Sequence, residues 1–136
     1  MKAFTTHQIA NGKNGGRLPY FDDKWLTNGH FFIGAKEPVA AEILKKSSAN
    51  FPMPPDWSDM CSGWIMGEVG EELTAEPTEH EKIVMLGGGA YRSGYVMFFS
   101  KRGYRFGKIE PISGWHGVKL INKSGEAVGI LLGCKF

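Results

Sequence analysis

The chain has 136 residues, of which 42% are hydrophobic, with two cysteines and a formal net charge of +2. This length predicts a single compact domain, 1–136, that can bury a core without disulfide bonds or a structural metal. The N-terminal segment lacks the apolar core of a signal peptide, and no apolar run reaches membrane-spanning length. We therefore expect a cytoplasmic protein with free thiols and no membrane partner.

The first part of the chain predicts short strands. Residues 2–9 are compatible with an opening strand. Tyr20-Phe21 and residues 25–33 also suit strands, with Asn28-Gly29 as either a turn or a bulge between them. The nineteen glycines of the chain also favour a turn-rich fold that contains sheet over a helical bundle.

A helix is predicted to begin at Glu37-Pro38, because proline suits the first turn. Apolar residues follow at helical spacing, and Lys45 and Lys46 lie in the last turn, where cations interact favourably with the helix dipole. This segment is the clearest helix in the chain.

The middle of the chain predicts irregular structure. Residues 51–57 contain three prolines within four residues and indicate a linker that crosses the surface, with Trp57 as an anchor in the core. Residues 68–81 are rich in glutamate and indicate an exposed acidic loop.

The C-terminal half predicts more regular structure. Residues 82–86 indicate a strand that stops at three glycines. Residues 93–102 have helical spacing and a terminating Gly103, which favours a helix, although a strand stays open because the run Val-Met-Phe-Phe also suits a strand. Residues 118–132 form two apolar runs around Ser124-Gly125 and predict a closing β-hairpin.

Charge is distributed unevenly along the chain. Residues 56–81 hold eight acids and no Lys or Arg, whereas residues 82–136 hold nine bases and two acids. Two interpretations stay open: each block forms a solvated surface that partly neutralises the other, or the basic block binds an anion such as phosphate, nucleotide or nucleic acid. In the second interpretation the bases interleaved with aromatic residues are the contact candidates, namely Arg92, Lys101, Arg102, Arg105 and Lys108.

The glycine-rich segment 87–94 is the candidate for an anion cradle. Glycines such as Gly88 let backbone N–H groups approach a phosphate, and Arg92 and Ser93 would add a charge and a hydroxyl. The segment matches neither a P-loop nor a dinucleotide fingerprint, and a simple loop is the competing interpretation.

Signs of catalysis or metal binding are weak in this sequence. Its four histidines are scattered without ligand spacing, which disfavours a zinc site, and no nucleophile elbow or paired-carboxylate signature occurs. Cys61 or Cys134 could pair with a histidine only through the fold. The sequence favours a non-enzyme without a cofactor, and an enzyme stays open as the alternative.

Two stretches resemble the domain repeated in bacterial DNA sliding clamps. Residues 26–32, LTNGHFF, resemble a strand motif with Thr-Asp-Gly-His, although Asn28 replaces the usual Asp. Residues 125–136 are similar to the closing strand, with Leu-Gly-Cys-Lys in place of a Met-Pro-Met-Arg-like sequence. The resemblance implies helices packed on an antiparallel sheet, with helix lysines facing DNA inside an oligomeric ring. Lys45 and Lys46 would then be lining candidates, and a stand-alone domain of this kind is similar to phage or prophage products.

These observations favour an α+β fold, in which one or two helices pack on an antiparallel sheet that includes a C-terminal β-hairpin. The favoured function is non-enzymatic binding of nucleic acid or a replication-type assembly through a basic C-terminal surface, with a homo-oligomer as the implied state. Two alternatives stay open: a small phosphate- or nucleotide-binding protein that uses loop 87–94, and a phage-type inhibitor that binds a host protein through loop 68–81.

Overall fold

The computed structural model describes residues 2–13, 16–65, 69–109 and 116–134. Within these ranges the helices are α1 (Thr6–Ala10), α2 (Pro38–Lys46), α3 (Pro55–Ile65) and α4 (Ser93–Lys101). The strands are β1 (Tyr20–Phe21), β2 (Trp25–Thr27), β3 (Phe31–Gly34), β4 (Phe51–Pro52), β5 (Glu72–Leu73), β6 (Glu76–Pro77), β7 (Ile83–Leu86), β8 (Gly89–Arg92), β9 (Arg105–Lys108), β10 (Gly117–Ile121) and β11 (Ala127–Leu132). The longest of these helices, α3, has 11 residues, which is too few to span a bilayer.

The strands form two sheets. The large sheet has the order β4-β1-β2-β3-β11-β10-β9-β5, and the small sheet has the order β6-β7-β8. All pairs are antiparallel except β1 and β4. The α+β class and the β10–β11 hairpin predicted from the sequence are therefore confirmed. Because β11 lies between β3 and β10, the closing hairpin forms the centre of the large sheet, which explains why every residue of β10 is buried.

The first face of the large sheet is covered by α1, α2 and α4, which we call the helical layer. The side chains packed there include Ile9 from α1, Ile43 from α2 and Phe99 from α4, against strand residues such as Phe31 and Leu120. The opposite face is covered by α3. Its Cys61 and Ile65 pack with Phe32 of β3 and Ile130 of β11, whose sequence neighbours Phe31 and Leu131 belong to the core on the first face.

The two helices predicted from the sequence are confirmed. In α2, Pro38 occupies the first turn and the last turn carries Lys45 and Lys46. Residues 93–101 are helical, and the chain leaves α4 through Gly103, whose φ of 85° is in the left-handed region that glycine adopts without strain.

Residues 2–9 do not form a strand. Thr5 and Gln8 make a capping box, in which the Gln8 N–H donates to the Thr5 hydroxyl (3.1 Å) and the Thr5 N–H donates to the Gln8 side chain (2.9 Å). These two bonds satisfy backbone donors at the start of a helix and so begin α1.

Residues 51–57 are not an irregular linker, because Pro52 and Pro55 sit where proline is tolerated. Pro52 lies in β4 at the edge of the sheet, where it needs no ladder N–H, and Pro55 is the first residue of α3. Trp57 is half-buried against the α3 core. The expected loop 68–81 likewise contains β5 and β6 over residues 72–77, while residue 68 lies outside the described ranges.

The motif around Asn28 forms the β2–β3 turn and holds α4. The Asn28 amide donates to the Tyr95 hydroxyl (3.0 Å) and its oxygen accepts from the His30 N–H (3.0 Å). Gly29 has a φ of 92°, and its N–H donates to the Thr27 hydroxyl. This network positions the N-terminal half of α4, where the candidate site lies.

Candidate anion-binding cleft

The N-terminal end of α4 opens onto a cleft of about 580 Å³. It is lined by Lys2, Ala3, Phe4, Gln8, Glu81, Lys82, Arg92, Ser93 and Gly94. Three of these side chains are cations and one is a carboxylate, so the cleft has a net positive lining.

Backbone hydrogen bonds bring three distant segments together at the cleft. The Ser93 N–H donates to the Lys82 carbonyl (2.9 Å), and the Ser93 hydroxyl donates to the Glu81 carbonyl (3.1 Å). The Phe4 N–H donates to the Gly94 carbonyl (3.1 Å). As a result, the start of the chain and the β6–β7 connection both lie against the first turn of α4.

Arg92 is held at the mouth of α4 by aromatic rings. Its guanidinium carbon lies 5.1 Å from the Phe4 ring centroid and 5.9 Å from that of Tyr95, within the range of cation–π attraction. The Phe4 ring also meets Tyr95 edge-on at 4.8 Å and packs on Gly94, where an added Cβ would overlap it. Phe4 is thus occupied by its own chain, which leaves little ring surface for a nucleobase.

The glycine-rich segment does not form one cradle. Gly87 and Gly88 are the two-residue turn between β7 and β8, and their φ values of 56° and 85° suit the type I′ turn of such hairpins. Because β8 extends over residues 89–92, Gly88 and Ser93 lie at opposite ends of a strand. Arg92 and Ser93 line the cleft, and Gly88 does not.

Lys45, Lys46 and Lys101 are exposed at the carboxyl ends of α2 and α4, in the helical layer. Among the described residues, none of them forms an ion pair. These cations are on the same side of the large sheet as the cleft, and α3 on the other side contains no Lys or Arg.

Arg102 is part of a structural network and not of a free basic surface. Its Nη2 lies 3.0 Å from Glu42 Oε1 and also donates to the Thr6 hydroxyl (2.8 Å), while Nη1 donates to the Phe98 carbonyl (3.1 Å). The bond from Arg102, followed by the bond from Thr6, lowers the pKa of Glu42. Arg102 therefore ties α1, α2 and α4 together, and its charge is neutralised locally.

The remaining predicted cations are dispersed. Arg105 forms an ion pair with Glu72 of β5 at 3.4 Å, between two exposed side chains. Lys108 is exposed three residues later on β9, and this odd spacing places it on the opposite face of the strand from Arg105. The C-terminal bases do not gather into one surface, which corrects the sequence-based expectation.

Lys2 and Lys82 are the cleft residues that sequence reasoning missed. They are separated by 80 positions and each is an isolated lysine, so no local pattern connects them. They meet because Phe4, two residues after Lys2, donates to the Gly94 carbonyl, and because the Lys82 carbonyl accepts from the Ser93 N–H.

The fold does bring one cysteine close to a histidine. The Cys134 thiol (3.5 Å) and His116 Nε2 (3.1 Å) both lie within reach of the Ala90 carbonyl. This shared carbonyl connects the end of β11 to β8, which is a structural role. Cys61 is fully buried, and burial raises the pKa of its thiol. Across the ranges that the structure describes, no group of three His, Cys, Asp or Glu side chains is placed to hold a metal ion.

Comparison with known proteins adds no relative: no family model matches the chain, and no curated protein and no solved structure is significantly similar to it. The resemblance to sliding clamps is therefore supported by the two sequence stretches alone.

Proposed function

We propose that this protein is a non-enzymatic nucleic-acid-binding protein that contacts backbone phosphates through the cleft at α4 and the adjoining helical layer. The observation that carries the proposal is the cleft lining, in which Lys2, Lys82 and Arg92 surround a cavity of about 580 Å³ with a single carboxylate, Glu81. Cationic side chains that converge on a cavity suit phosphate oxygens, which accept hydrogen bonds and carry charge.

The surroundings of the cleft favour a polyanion over a single small anion. Lys45, Lys46 and Lys101 are exposed on the same side of the sheet, beyond the cleft. A ligand with phosphates at regular intervals would satisfy both groups of cations at once. Helix lysines facing DNA are also what the resemblance to sliding clamps implies, and this agreement supports the proposal.

Recognition of the free nucleotide is less well supported by the cleft. A nucleotide site usually offers a ring surface on which the base stacks. Here the Phe4 ring is packed against Arg92, Gly94 and Tyr95. We therefore expect contacts to phosphate without base readout, and so little preference for sequence.

The test is fluorescence anisotropy with a labelled DNA duplex of mixed sequence, repeated at several salt concentrations. Wild-type affinity should fall steeply with salt. The slope of the logarithm of the binding constant against the logarithm of salt concentration should be about −0.9 for each phosphate that the protein neutralises. The cleft variant K2E/K82E and the helix variant K45E/K46E should each weaken binding and flatten that slope. K24E is a control for the reversal of one exposed lysine, because Lys24 lies in the β1–β2 turn and does not line the cleft.

Absence of duplex binding at low salt would refute the proposal, and so would equal affinity of K2E/K82E and the K24E control. A thermal shift with nucleotides but none with duplex would instead favour the small-ligand interpretation, since selective binding to the folded state raises its apparent stability.

A further inference from the structure

Two exposed apolar side chains lie together on the side of the sheet opposite the helical layer. Phe51 is 40% exposed and Met60 is 44% exposed, and among the described residues no other large hydrophobic side chain is exposed. The Tyr20 ring connects them, because its centroid lies 5.2 Å from those of Phe51 and Trp57, and Met60 follows Trp57 by one helical turn. We call Tyr20, Phe51, Trp57 and Met60 the α3 patch.

The neighbouring sheet edge is closed to strand addition. The N–H groups of Phe51 and Met53 both point inward, to the carbonyls of Pro19 and Phe21 (2.9 Å each). The residue between them, whose N–H would point outward, is Pro52, which has none. A partner of the α3 patch must therefore bind through side chains.

Charges of both signs flank the patch. The Arg17 guanidinium lies 6.0 Å from the Trp57 ring, and Asp56 and Asp59 are exposed on α3. Since successive helical residues are about 100° apart, Met60 projects between Trp57 and Asp59. None of the three charged side chains forms an ion pair with another residue in the described part of the chain.

Such a surface is complementary to itself. A rotation of half a turn about an axis between Trp57 and Met60 exchanges the side of the patch that carries Arg17 with the side that carries Asp59, which is the requirement for an isologous two-fold interface. The mixed signs also disfavour nucleic acid at this place, because the aspartates would repel its phosphates.

We infer that the α3 patch joins two copies of this chain about a two-fold axis. Each Met60 packs on the partner's Trp57, and each Arg17 faces the partner's Asp59. Because α3 and the helical layer cover opposite faces of the large sheet, the dimer leaves both phosphate-binding clefts open.

The mass of the protein in solution, measured by sedimentation equilibrium over a wide concentration range, tests this inference. The wild type should reach the mass of two chains, and Met60→Lys should remain a single chain. R17D and D59R should each weaken association about tenfold or more, equivalent to about 1.4 kcal/mol, because like charges then face each other. The double variant R17D/D59R restores opposite charges and should recover most of the affinity.

Two variants supply matched controls with the same charge changes. Lys123→Asp and Glu126→Arg lie in the exposed β10–β11 turn and should associate like the wild type. A wild type that stays a monomer at every concentration overturns the inference, as does a ring-sized mass. A dimer that tolerates Met60→Lys, or single charge reversals that are not rescued by the double variant, also overturns it. Duplex binding is measured separately on these variants. A result that overturns the dimer therefore does not decide whether the protein binds nucleic acid.

Discussion

Two glycines in helices provide a sharp test of the packing around the cleft. Gly94 lies in the first turn of α4, where an added Cβ would overlap the Phe4 ring. Gly63 lies inside α3, where an added Cβ would meet nothing within 4 Å. Alanine at either position gains helix propensity, but only alanine at Gly94 must displace a packed side chain.

The sizes of the propensity gain and the packing cost decide whether alanine stabilises or destabilises the protein at each position. Gly→Ala in a helix interior is worth about 1 kcal/mol, so Gly63→Ala should stabilise the protein by nearly that amount. Overpacking costs about 1–3 kcal/mol, so Gly94→Ala should lose its propensity gain and destabilise by up to about 2 kcal/mol. Each kcal/mol corresponds to a shift in Tm of about 3–5 °C for a chain of this size.

Urea and thermal unfolding of both variants measure this difference, and Phe4→Ala identifies its cause. If the cost arises from the Phe4 ring, Gly94→Ala should become neutral or stabilising in the Phe4→Ala background, as a double-mutant cycle. Equal stabilisation by the two single alanine variants would show that the Phe4 ring does not pack on α4, and the cleft as described would then be wrong.

Three further predictions follow from buried or paired polar groups. The Arg102 bond lowers the pKa of Glu42. Wild type should therefore be more stable than Glu42→Gln above pH 4.5, the ordinary pKa of a glutamate, and this difference should disappear as pH falls through the lowered pKa. The difference in Tm between the two proteins, measured against pH, checks this. Asn28→Asp should destabilise the protein at neutral pH by about 1–3 kcal/mol and less in acid, because Asn28 is only 1% exposed and a carboxylate there loses hydration; equal urea midpoints at both pH values would contradict this. In thiol titration, native protein should expose Cys134 only, because Cys61 is fully buried and burial raises its thiol pKa; rapid reaction of both thiols would contradict the α3 core.

The elements that sequence reasoning predicted are those with strong local signals. The helix at Pro38 combines a favourable first residue, apolar periodicity and terminal lysines, and the closing hairpin combines two apolar runs with a glycine turn. In both, local propensity and tertiary packing favour the same conformation.

The elements that were missed have signals that were outweighed or overlooked. The capping box Thr5-x-x-Gln8 was visible in the sequence, but a helix of five residues has almost no periodicity to support it. The three prolines before Trp57 indicated a break, although Pro55 is at the one helical position that tolerates proline well. The choice between a linker and α3 depended on where each proline lies relative to the sheet edge, and only the tertiary structure provides that.

The candidate site depends on pairings between residues that are far apart in sequence. For this reason the charge distribution along the chain predicted a basic C-terminal surface that the fold does not form. Lys2, Lys82 and Arg92 meet at α4 through backbone hydrogen bonds, while Arg102 is neutralised by Glu42, 60 residues earlier. A basic block along the chain is therefore not a basic surface.

The same reasoning explains how the acidic block is divided. Asp56 and Asp59 lie on α3, whereas Glu72 pairs with Arg105 at the far edge of the large sheet. The large sheet, with helices on both faces, separates these aspartates from the cleft and its lysines. Because the field of a surface charge falls off over about 8–10 Å in physiological salt, a phosphate at the helical layer is screened from the α3 aspartates. Reversal of Asp59 should therefore alter association between chains without changing duplex affinity, and reversal of Lys2 and Lys82 should do the opposite.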